Sequence, residues 1–290
     1  MSRGWLWLTG TCFLLTASAA DLGFQRITLL DYEDGPPLTP GYEYRPGETV
    51  WFNARVTGFQ RDTTDKDEAT DHVRLTWQIR PQDPAGTLLV PTMRGVIEET
   101  LRPEDKTWMP KVLVSFLIPP FAPRGTYRIP LTVRDDLAKK EASGQVEFRV
   151  RGDDPVLADA TFGLRNFRFL AREDDRFPLK PAVFKPGAPM FARFDVVGYK
   201  FEGNNHFSIG YGIAILGPPD AEGVQKTVLS QDPPTQEESE SFYAQRWVPG
   251  GFGLTLDPTV APGEYTLVVT VQDKVAGATT EVKQTFEILP

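Results

Sequence analysis

Gly125-Thr126-Tyr127 is spelt again as Gly263-Glu264-Tyr265, 138 residues further along the chain. Upstream of it, Trp108-Met109-Pro110 returns as Trp247-Val248-Pro249 at an interval of 139, and Pro46-Gly47 returns as Pro186-Gly187 at 140. An interval that drifts by only two residues is what small loop-length differences leave between two copies of one unit. A period this long describes two complete domains rather than the stacked units of a solenoid.

Between these marks the chain alternates. Val50, Phe52, Ala54 and Val56 are answered by Met190, Ala192, Phe194 and Val196. Val73, Leu75, Trp77 and Ile79 are set against Ile209, Tyr211, Ile213 and Ile215; Tyr127, Ile129, Leu131 and Val133 against Tyr265, Leu267, Val269 and Val271. Period-two patterns of this kind put one face of a strand on a core and the other in water. The runs stop at turn clusters such as Pro81-Gln82-Asp83-Pro84-Ala85-Gly86 and Pro218-Pro219-Asp220-Ala221-Glu222-Gly223. Helical spacing is not sustained, and 26 prolines and 25 glycines leave little room for long helices. The expected fold is all-β: two tandem immunoglobulin-like β-sandwiches, residues 21–151 and 160–290, joined by a linker at 152–159. Leu38 and Leu179 align ahead of the Pro-Gly marks if one residue is gapped.

Residues 1–20 read as an export signal. Arg3 supplies positive charge, Gly4 to Thr16 is uncharged and largely apolar, and Ala17-Ser18-Ala19-Ala20 offers small residues to a peptidase, with cleavage before Ala20 or Asp21. The run is short for a membrane span of roughly 20 residues. It contains the chain's single cysteine, Cys12, whose preceding Thr11 suits a lipid-attachment box poorly. A chain without that segment has no disulfide and must be held by burial alone. No Asn-x-Ser/Thr site occurs, and together these features favour an exported protein of a bacterial envelope, periplasmic or at the surface. A net charge of -8 with Lys and Arg interspersed argues against nucleic acid as a partner.

Tyr44-Arg45-Pro46-Gly47-Glu48-Thr49-Val50, Pro123-Arg124-Gly125-Thr126-Tyr127 and Pro262-Gly263-Glu264-Tyr265 resemble strand openings of macroglobulin-type and bacterial immunoglobulin-like domains. The resemblance implies an architecture, and fold alone does not carry function. No thioester Cys-Gln segment is present, which excludes covalent capture. Within such sandwiches, Tyr127 and Tyr265 fit the tyrosine that hydrogen-bonds back to its own corner, and Asp135 and Asp273 the turn after that strand.

Catalytic signatures are missing from the sequence. His72 and His206, each just ahead of a strand, read as solvated loop residues, and without cysteines they make no zinc set. One acidic cluster, Asp62, Asp65, Asp67 and Asp71 with Glu68, offers oxygens of the kind calcium takes, although Lys66 interrupts it and no EF-hand glycine is present. The alternative is a hydrated polar loop. Trp77 is expected in the first core. Trp51 and Phe191 are out of phase with their inward neighbours at the same position of both repeats, so they either line a binding face or are covered by the leading strand or the other domain. The expected function is therefore non-catalytic binding or scaffolding, with an envelope protein or a polysaccharide as partner. A strand-adding assembly chaperone and an enzyme with a site between the domains are the alternatives.

Overall fold

The computed structural model describes residues 21–65, 70–157, 159–231 and 234–290, without the side chains of 64 and 65. The expected signal segment, Cys12 included, lies outside the described residues. Every regular element among them is a strand. In the first half these are β1 (Gly23–Leu30), β2 (Glu43–Tyr44), β3 (Thr49–Thr57), β4 (Asp62–Asp65), β5 (Thr70–Ile79), β6 (Met93–Leu101), β7 (Lys111–Leu117), β8 (Gly125–Asp135) and β9 (Lys140–Val150). The second half holds β10 (Gly163–Leu170), β11 (Val183–Phe184), β12 (Pro189–Val197), β13 (Phe207–Leu216), β14 (Thr227–Ser230), β15 (Thr235–Ser239), β16 (Trp247–Thr255), β17 (Gly263–Asp273) and β18 (Ala278–Ile288).

Each half is a two-sheet sandwich of immunoglobulin-like order. A three-stranded sheet β1-β3-β7 faces β2-β9-β8-β5, with β6 at the outer edge beyond β5 and β4 paired to the start of β5 on the β8 side. The second half repeats this as β10-β12-β16 facing β11-β18-β17-β13, with β14 and β15 at the edge. The short β2 and β11 run parallel to the last strand of their own half. Val50, Phe52, Ala54 and Val56 are fully buried along β3, and Met190, Ala192, Phe194 and Val196 along β12. The out-of-phase side of both strands therefore faces outward. Leu38 donates its N–H to the Leu29 carbonyl and Leu179 to the Phe169 carbonyl, which fixes the one-residue gap between the copies.

Strand pairing corrects one alignment made on sequence. Trp77 lies opposite Val133 and Tyr211 opposite Val271, so Tyr211, not Ile213, stands where Trp77 stands. Both strands alternate, and alternation alone cannot distinguish registers two residues apart. Trp77 is only half-buried, its ring lying across Gly95 of the edge strand, where a Cβ would come within 2.4 Å of it. His72 lies inside β5 rather than in a loop before it, opposite Asp62 and Thr100. The Pro/Asp/Gly turn of the second half sits further from the sheet, because that hairpin is extended by a bond from Gly217 N–H to the Lys226 carbonyl.

Candidate functional site

A buried carboxylate is costly unless it is fully bonded, and among the described residues Asp83, Asp135 and Asp273 are buried. Asp135 ends β8. Its Oδ1 accepts the N–H groups of Leu137 and Ala138 at 2.9 and 3.0 Å, and its Oδ2 accepts that of Gln60 at 2.6 Å. Asp273 does the same at the end of β17: Val275 and Ala276 at 3.0 Å, and Lys200 at 2.8 Å. Each carboxylate thus closes its own hairpin and ties it to the loop after β3 or β12. The tyrosine corners form as expected, Tyr127 donating to the Pro123 carbonyl at 2.6 Å and Tyr265 to that of Ala261 at 2.8 Å.

Asp83 departs from this duplication. Its Oδ1 accepts the N–H groups of Ala85 and Thr87 at 2.9 and 2.8 Å, as the exposed Asp220 accepts those of Glu222 and Val224. Its Oδ2 instead accepts the hydroxyl of Tyr243, from the second half, at 2.9 Å. Nearby, the Trp247 ring meets Phe121 edge-on at 5.3 Å, whereas its counterpart Trp108 stays against Phe59 of its own half. A cavity of about 340 Å³ opens beside these contacts, walled by Pro84, Phe121, Leu157 and Trp247, with Arg124 and Asp154 at its polar side.

This cavity gathers titratable groups from both halves, which an enzyme between the domains would require. Each is engaged. Asp83 spends both oxygens, and Arg124 pairs with Asp154 at 2.6 Å. The Tyr243 phenol is pushed far up, first by burial and then by the Asp83 carboxylate, so it stays protonated as a donor. Nothing in the sequence marked Tyr243: its partner is 160 residues away.

Of the acidic cluster, only the side chains of Asp62 and Asp71 are described, and these two do not converge. Asp62 is paired with His72, and Thr63 with Asp71, whose Oδ1 accepts the Thr63 hydroxyl at 3.1 Å. Neighbouring positions of a pleated hairpin point to opposite faces, so Asp62 and Asp71 look apart. Asp65 closes the strand opposite Thr70, and Asp67 lies outside the described residues. The described part of this segment is strand, where a loop was expected. Both histidines have carboxylate neighbours, His72 with Glu98 at 3.6 Å and His206 with Glu202 at 3.2 Å.

Trp51 and Phe191 occupy equivalent outward positions on the middle strands of the two three-stranded sheets. Trp51 is flanked by Leu30 and Ser115, and Phe191 by Leu170 and Gly253. The leading strands lie beside them in the sheet plane rather than over them, and both rings are half-buried. Phe191 leans onto Gly253, where a Cβ would come within 2.7 Å of the ring.

No family model matches the chain, and no curated protein matches it. Among solved structures, the C-terminal domain of the Streptococcus agalactiae antigen I/II polypeptide BspA is 9% identical, with 93% of this chain and 100% of that chain covered and a TM-score of 0.30. The C-terminal domain of the Streptococcus pyogenes antigen I/II-family protein AspA is 10% identical, with 93% and 99% covered and a TM-score of 0.30. The Pseudomonas fluorescens alkylpurine DNA glycosylase AlkC, bound to DNA containing an abasic site analogue, is 13% identical over 46% of this chain, with a TM-score of 0.31. The chain spans about a third of that glycosylase, 32% of its length. No activity or partner follows from neighbours this distant. No helix among the described residues is long and apolar enough to cross a membrane.

Proposed function

We propose that this chain is an exported, non-catalytic binding or scaffolding protein of a bacterial envelope that meets a polysaccharide or another envelope protein. One observation carries the reading: among the described residues, the buried carboxylates Asp135, Asp273 and Asp83 are all committed to backbone or hydroxyl donors. A general acid or base needs a free position facing a substrate. The cavity between the halves holds Asp83 with Tyr243 and Arg124 with Asp154 in internal pairs, and the first of these joins the halves. What stays open to a partner is the outward sheet face bearing Trp51 and, in the second copy, Phe191.

A strand-adding role is the second reading, favoured by β6. Among the described residues this nine-residue strand pairs only with β5, leaving its outer edge open for another chain. The two readings separate in one experiment. The tagged full chain is applied to a glycan array and to envelope extract, beside Trp51→Ala/Phe191→Ala and a proline variant at Val96 on β6. Binding lost in the aromatic variant supports the face; binding lost only in the proline variant supports strand addition. Background signal from the wild type on both arrays and extract would contradict either.

A further inference from the structure

The outward faces of the two three-stranded sheets carry an unexpected charge pattern. In the first half Arg26 of β1 lies directly opposite Arg55 of β3, which lies directly opposite Lys111 of β7. Three cations thus cross the sheet in one row. In the second half Arg168 of β10 lies directly opposite Arg193 of β12, one row nearer the aromatic ring than in the first. Like charges set opposite each other on one face of a sheet are destabilising. A chain whose net charge is -8 has no compositional reason to place them so twice.

Internal partners neutralise only part of this charge. Lys111 pairs with Asp34, and Arg165 reaches Asp195 at 3.5 Å, a carboxylate that also accepts from Asn166 at 2.7 Å. Arg26, Arg55, Arg168 and Arg193 enter no ion pair among the described residues. Arg168 Nε, like Arg165 Nε and Nη2, is moreover buried with no hydrogen-bond acceptor among the described residues, an arrangement that costs free energy. The surface is concave beside Arg26 and Arg55 and again beside Arg193. A depression of about 170 Å³ is lined by Arg26, Asn53, Arg55 and Asp34, and one of about 200 Å³ by Phe191, Arg193, Gly251, Gly253 and Glu173. The two glycines carry no side chain on the β16 side, which lets the Phe191 ring lie across Gly253 and Arg193 approach Gly251.

We propose that these two faces bind an acidic polysaccharide, the arginine pairs taking its carboxylates and the Trp51 and Phe191 rings taking the apolar face of a sugar. The inference rests on the binding role proposed above and names its ligand class. A guanidinium presents a planar fork that matches a carboxylate bidentately. Phe191 is one outward position from Arg193 on the same strand, a separation of about 7 Å, which sets ring and fork over one short stretch of polymer. A duplex or single-stranded nucleic acid carries a denser charge than two arginine pairs answer, and the acidic remainder of the protein repels it. The two faces repeat along one chain, and a polymer with repeating carboxylates can engage both at once.

The test measures binding of the full chain to polygalacturonate, alginate and hyaluronate, each beside its carboxyl-reduced, neutral counterpart. Wild type is expected to bind at least one acidic polymer, with affinity falling as salt rises, and to bind its neutral twin at least tenfold more weakly. Arg168→Gln/Arg193→Gln and Arg26→Gln/Arg55→Gln should each lose about tenfold or more, in line with one or two charge-assisted contacts. Their melting temperatures should hold or rise, because each change removes a repelling pair; a fall would mark the arginines as structural and overturn the proposal. Equal binding to acidic and neutral polymers, or tighter binding to phosphatidylglycerol vesicles or oligothymidylate, would also overturn it. Binding to a neutral glycan or an envelope protein alone would overturn the acidic ligand and leave the binding role standing, whereas silence on every probe would remove both.

Discussion

Asp135 and Asp273 show how much one residue can organise. Each is a short acid at a hairpin end, a position the sequence already suggests, because Asp at a turn accepts from the N–H groups that follow it. What the sequence hides is the third bond, to Gln60 or Lys200, which crosses to another loop. Asp135→Asn or Asp273→Asn keeps the shape but turns an acceptor into a donor facing an N–H. Each is expected to cost its sandwich about 2 kcal/mol or more, read by chemical denaturation, while leaving the other sandwich's transition in place. The opposite sign is expected at Tyr44. Its hydroxyl is buried with no partner among the described residues, and Phe184 stands at the equivalent place. Tyr44→Phe removes an unsatisfied group and should hold or raise stability, by up to about 1 kcal/mol; a clear loss would mean the hydroxyl has a partner.

Among the elements, strands with one buried face were legible because Val, Ile, Leu and Phe alternate along them. The edge strands were not. Only Leu101 of β6 is buried, and the second copy breaks the same edge into β14 and β15, both largely exposed, so neither carries an apolar period. The last strand of each half begins earlier than its apolar pattern, at Lys140 and Ala278, for the same reason. Trp51 and Phe191 were legible as outward rings, but the arginine pairs were not, since direct opposition depends on register across three strands. The repeated Gly-x-Tyr spelling has a packing cause. A Cβ on Gly125, at φ 154°, would come within 2.5 Å of Pro84, and one on Gly263, at φ 149°, within 2.9 Å of Pro218. Gly125→Ala should therefore lose about 1–3 kcal/mol from strain and overpacking, and Gly263→Ala should lose somewhat less, given its wider approach.

For the whole molecule, the duplication sets two similar faces on one chain, and the contacts of Tyr243 and Trp247 join the halves. That joint has a pH dependence. The Tyr127 and Tyr243 phenols are both raised above their usual 10, by burial first and by the Asp83 carboxylate second. A raised phenol binds its proton more tightly folded than unfolded, so its contribution is complete below about pH 10 and declines as the pH climbs beyond it. In alkaline titration the phenolate absorbance of the buried tyrosines, which follows that of exposed ones such as Tyr32, should rise together with the loss of β-sheet circular dichroism. The proposed division of labour, partners on the outward sheet faces and the cavity between the halves as a joint, is open to nuclear magnetic resonance of the arginine Nε–H and tryptophan indole groups while an acidic polysaccharide is titrated into the full chain. Shifts at Arg26, Arg55, Arg168, Arg193 and Trp51 with Trp247 unmoved are the predicted result; shifts at Trp247 and Arg124 with the sheet faces unmoved would contradict it.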